Sequence, residues 1–128
     1  MPMYLTRFRY TPETWAMLIV EPEDRRRAAS AYIESVGGRL HGFWYAFGEH
    51  DGVTPWEAPD DVAMASVVLA IGGGGALGAI ETTVLLTVED TLEALGRAQS
   101  VGYRPPGMGA EDARALIAEG AKVVIGDI

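Results

Sequence analysis

GGRLHGFWYAFGEHDGVTPWEAPDD, residues 37–61, is the stretch whose reading decides the fold. A double glycine closes what precedes it, and a run rich in aromatics follows. Gly48-Glu49-His50-Asp51 then makes a polar turn, a second β-type run comes next, and Ala58-Pro59-Asp60-Asp61 stops it. That succession writes a β-hairpin with a helix on either side. The stretch also holds both histidines, two of the three tryptophans, and Glu57, an acid out of place on a strand.

Upstream, MYLTRFRY alternates β-type residues around Arg7 and Arg9 and predicts a first strand. Thr11 supplies an N-cap and Pro12 a proline at the first helical position. Trp15, Leu18 and Ile19 share one helical face. Proline inside a helix costs about 3 kcal/mol, so Pro22 predicts a break at Glu21 and a fresh helix from Glu23. Its stripe is Ala29, Tyr32, Ile33 and Val36, and Gly37-Gly38 ends it. Hairpin strands are expected near 39–47 and 53–58. Pro55 in the second cannot donate to a ladder and belongs at a bulge or an unpaired position.

Downstream, acids open a helix over 62–71, a strand follows over 79–87, and a helix over 89–98. The order β-α-β-β-α-β is the ferredoxin-like α+β plan, one antiparallel sheet with the helices on one face, over residues 1–100. Residues 101–128 read as an extension: a linker over 102–109, an amphipathic helix over 111–119 and a strand-like end over 121–125.

A chain of 128 residues with 48% hydrophobic residues builds one ordinary core. It has no cysteine, so disulfides, thiolate metal sites and cysteine nucleophiles are excluded. The net charge of −8 argues against nucleic acid and anionic membranes, which depend on basic residues. No apolar run has membrane-spanning length, and MPMYLTRFRY lacks the core of a signal peptide, so a cytoplasmic location is expected. Lys122 is the only lysine, which leaves Schiff-base chemistry one poorly placed candidate.

Strand parity sorts the side chains. With the turn at 48–52, Phe47 is expected opposite Val53 and Trp44 opposite Trp56. One face then carries Tyr4, Thr6, Phe8, Leu40, Trp44 and Trp56 without a charge, as the face under the helices should. The other carries Leu5, Arg7, Arg9, His41, Phe43, Tyr45, Phe47, Val53, Glu57, Glu81 and Leu85. That second set is too apolar for open solvent, and two such sheets face to face would bury the aromatics around a lined cavity. A homodimer through the sheet face is therefore expected.

The segments MYLTRFRYT, PEDRRRAASAYIESVGGRL, GFWYAFGEHD, EAPDDVAMASVVLAIG and GAIETTVLLT resemble the GYD-domain family, small proteins placed among the dimeric α+β barrels. The resemblance covers residues 3–87 and implies the same fold and dimer. It carries no general activity. His50 stands where similar proteins tend to have a tyrosine before the motif aspartate, Gly52-Val-Thr-Pro-Trp replaces a plain aliphatic run, and Glu81 stands where a basic residue is common.

His41 and Glu57 are expected as diagonal neighbours across the hairpin, either a histidine held as a general base or an ordinary surface pair. His50 is placed at the pocket mouth, and Asp51 in the turn bonds backbone. Arg7 and Arg9 share a face and need Glu57, Glu81, a partner or an anionic ligand. Phe43, Tyr45 and Phe47 make either an aromatic wall with one polar handle or core. The glycines of 72–75 follow a helix without Gly-Lys-Ser/Thr, so they are no phosphate loop, and no Gly-x-Ser-x-Gly elbow is present.

These residues fit a small enzyme of isomerase, cyclase or monooxygenase type, needing no cofactor or metal, that acts on an apolar or aromatic molecule in an inner pocket. His41, His50 and Glu57 would be catalytic, and Arg7, Arg9, Phe43, Tyr45, Phe47 and Glu81 would bind substrate. The alternative is a non-catalytic small-molecule-binding or protein-interaction module of the same fold.

Overall fold

The computed structural model describes residues 1–107. The helix expected over 111–119 and the strand-like end over 121–125 lie outside them. In chain order the elements are β1 (Met3–Tyr10), α1 (Pro12–Val20), α2 (Arg25–Glu34), β2 (Arg39–Leu40), β3 (Trp44–Tyr45), β4 (Gly52–Glu57), α3 (Asp61–Gly73), β5 (Leu77–Leu85) and α4 (Val88–Ala98). The chain divides into two units, one ending at Leu86 and one beginning at Thr87.

In the first unit β1 lies between β4 and β5, with β2 and β3 on the far side of β4 and every pairing antiparallel. This is the ferredoxin-like arrangement. Local chemistry sets the ends of the helices. The Thr11 hydroxyl accepts from the Thr14 amide, Asp24 from Arg26 and Asp60 from Ala63, each satisfying a donor that the first helical turn leaves free. α1 stops at Glu21 and α2 restarts after Asp24, on either side of Pro22. Gly37 takes a φ of +84° past the end of α2, a conformation that a side chain resists.

The core of the unit is Tyr4, Trp56, Ala58, Ile33 and Val67. The rings of Tyr4 and Trp56 pack 5.3 Å apart, and the Tyr4 hydroxyl donates to Asp61 Oδ1 at 2.6 Å. Burial alternates along β1 and β4 as parity requires, with Tyr4, Thr6, Phe8, Thr54 and Trp56 inside. In the second unit α4 is capped by Thr87, whose hydroxyl accepts from the Asp90 amide, and carries an Arg97–Glu93 ion pair at 2.6 Å.

The second strand departs from expectation. It is not continuous over 39–47 but breaks into β2 and β3. Leu40 pairs with Trp56, whereas Trp44 pairs with Val53, so one extra residue enters between them. That makes a bulge, and a one-residue slip exchanges the two faces of a strand. Trp44 therefore lies on the open face beside Val53, and Phe43 and Tyr45 lie under the helices, where Phe43 meets Phe8 at 5.5 Å. Phe47 is not opposite Val53; it sits in the turn and is 96% exposed.

Pro55 supplies a physical reason for the break. His41 donates its amide to the Pro55 carbonyl at 2.9 Å, so the proline nitrogen faces the same neighbour and cannot return the bond. The ladder fails there, and the second strand leaves its register. Ile19 is a further difference, since it is exposed and does not share an inward face with Trp15 and Leu18.

Candidate functional site

Pairing fixes a lattice of side chains on the open face of the sheet. One row runs Glu81, Arg7, Val53, Trp44, the next Thr83, Leu5, Pro55, and the next Leu85, Met3, Glu57, Arg39. His41 Nε2 reaches Glu57 Oε1 at 3.5 Å, and His50 Nε2 lies 3.6 Å from Glu81 Oε2. The expected neighbourhood of His41 and Glu57 is present, and the sequence did not foresee the second pair. Both separations are long for a hydrogen bond and suit an ion pair once the imidazole carries a proton.

The two pairs do not converge. Glu57 and Glu81 stand two strands and four residues apart, roughly 15 Å by strand geometry. Arg7 is half-buried between them and makes no ion pair among the described residues. Arg9 is already engaged. Its guanidinium donates through Nε at 3.0 Å, and also through Nη2, to the Glu49 carbonyl, clamping the turn to β1.

Asp51 organises the other side of that turn. Its Oδ2 accepts from the Tyr10 amide at 2.9 Å and from the Trp15 indole at 3.2 Å. The side chain thus bonds backbone as expected, although the partner is distant in sequence. Around it Tyr10, Trp15 and Tyr45 form an aromatic cluster, with Trp15 set edge-on to Tyr10 at 5.0 Å. Burial, then the hydrogen bond with Tyr45, raises the Tyr10 hydroxyl far above the ordinary tyrosine range. Tyr45 is therefore part of this cluster and no wall of an open-face pocket.

A large half-open space lies on the helix side. A groove of about 1080 Å³ runs between the sheet and the three helices of the first unit. It exists because α1 buries none of its residues, and because Ala16 and Ala29 present short side chains to it. Thr6, Phe8, Thr54 and Trp56 form the floor. Every floor hydroxyl is occupied: Thr6 Oγ1 accepts from the Trp56 indole at 2.8 Å and shares a hydrogen bond with Thr82 at 2.9 Å, and Thr54 donates to the Thr6 carbonyl at 3.2 Å. Among the described residues no buried side-chain polar atom is left unpaired. The floor is thus chemically apolar despite its threonines.

Charge enters only at the rim, where Glu13, Glu21, Glu23 and Arg25 line the groove. Arg25 pairs with Glu23, and that bond holds its guanidinium more firmly protonated than usual. Among the described residues no group of three metal-type side chains stands together, and no helix is long and apolar enough to cross a membrane.

Comparison with known proteins adds a family. A family model described as the GYD domain matches residues 4–95. An uncharacterized NIPSNAP domain protein from Burkholderia xenovorans, known from its crystal structure, is similar over 69% of this chain and 95% of its own, at 16% identity and a TM-score of 0.43. Among curated proteins, none matches the chain.

Proposed function

The chain belongs to the GYD domain family, and on that premise we propose that it binds a small, largely apolar molecule in the groove between its sheet and its helices. The observation that carries this reading is the groove itself: about 1080 Å³, with an apolar floor whose polar atoms are all satisfied within the protein. A site of that size and lining gains from excluding water and asks no hydrogen bond of its ligand except at the rim.

The neutral apolar dye Nile red tests it. Fluorescence enhancement should saturate with the wild-type protein. Ala29→Phe and Ala16→Phe, which fill the groove, should weaken binding at least tenfold. Ala16 is exposed, so its variant keeps the fold if Ala29→Phe does not. Saturable binding unchanged by both substitutions would refute the groove as the site.

A second reading places proton-transfer chemistry on the open face. It is favoured by the two histidines, each facing a carboxylate, with Arg7 between the pairs. Because the pairs are so far apart, one small substrate meets both only if a second copy lays its sheet against this one. That reading therefore includes a homodimer through the sheet face. His41→Ala and His50→Ala should then abolish turnover while Nile red still binds.

A further inference from the structure

We infer that the occupant of the groove is an apolar molecule ending in a protonated amine, a reading that rests on the groove being the binding site. The argument is one of charge placed around an apolar floor. Four charged residues line the groove, Glu13, Glu21, Glu23 and Arg25, three carboxylates against one guanidinium. The charge of the guanidinium is offset by Glu23, to which it is bonded. Glu13 and Glu21 make no ion pair among the described residues, so the rim keeps two uncompensated negative charges.

The remaining groups do not reverse that sign. Helix ends of both kinds reach the rim, N-terminal at Thr11 and Arg25 and C-terminal at Val20 and Gly74, so the helix dipoles take no side. The whole chain carries −8 and repels a carboxylate before it arrives. An ammonium is favoured by the free carboxylates, and two rings of the type that attracts cations, Tyr10 and Tyr32, are among the residues lining the groove. Its apolar body would lie along Phe8, Trp56 and Ile80.

Arg7 and Arg9, the basic candidates for an anionic ligand, stand on the opposite face of the sheet, and Arg9 is already bonded to the Glu49 carbonyl.

The test uses the full chain and three probes that differ only at one end: decylamine, decanol and decanoate, each displacing Nile red at pH 7 in low salt. Decylamine should bind about tenfold tighter than decanoate, as expected for two partly screened carboxylates at a rim, and the gap should narrow in 0.5 M salt. Glu13→Gln with Glu21→Gln should erase most of the difference and leave decanol unchanged. Both positions are exposed, so the double variant should fold. Decanoate binding as tightly as decylamine, with Ala16→Phe still weakening all three, would overturn the amine inference and leave the groove standing. Failure of every probe to bind, or binding indifferent to Ala16→Phe, would overturn both.

Discussion

Asp51 holds three parts of the chain with one residue. Its carboxylate takes the Tyr10 amide and the Trp15 indole, its own amide donates to the Phe8 carbonyl at 2.8 Å, and its carbonyl accepts from Ala46. Asp51→Ala strands two donors and should cost about 1–3 kcal/mol in a urea titration, with Asp51→Asn recovering part. Tyr4 gives a pH dependence. Burial, helped by the bond to Asp61, raises its hydroxyl to about 12. A raised value favours the protonated form in the folded state, so its contribution is whole below about pH 10 and is lost as pH rises toward 12. Tyr4→Phe should flatten the alkaline fall in melting temperature between those values, at the expense of about 1 kcal/mol at neutral pH for the lost hydrogen bond. At this scale the sequence was informative where parity sufficed: His41 meets Glu57. It was silent about His50 and Glu81, because the reach of a turn residue depends on a strand eighty residues into the chain.

Among the elements, β1 was legible from end to end, since its alternation and the Thr11-Pro12 stop leave no freedom. The break at Pro22 was legible for the same kind of reason, a missing donor. The second strand was not, because its aromatics suit either face and nothing local announces the extra residue. Two glycines make the observed path possible. A Cβ at Gly42 would lie 2.4 Å from the Trp44 ring, and one at Gly52 would lie 2.1 Å from the Phe8 ring. Gly52→Ala must push Phe8 out of its place against Tyr10 and Phe43, and should cost about 1–3 kcal/mol of stability. Loss of the near-ultraviolet aromatic signal at a retained far-ultraviolet signal would locate the damage in packing rather than in the sheet.

For the first unit as a whole, the groove was invisible in the sequence. Empty space is made by how far α1 stands from the sheet, and no pattern within α1 encodes that distance. What the sequence did offer was the open face with Leu5 and Val53 beside Arg7, to which the structure adds Pro55 and an exposed Trp44 in place of Phe43 and Tyr45. If that face pairs with a second copy, native mass spectrometry should find a dimer, and Trp44→Arg should release monomers that keep Nile red binding. A monomeric wild type would remove the second reading and leave the groove untouched. The bulge at 41–43 has one more consequence, for anyone comparing or redesigning such chains. Because it trades sides for the rest of that strand, deleting a single residue there would send Trp44 beneath the helices and turn Tyr45 outward. Chain length at that point, more than residue identity, then decides which aromatic a ligand meets, and an alignment without a gap there compares side chains that never share a surface.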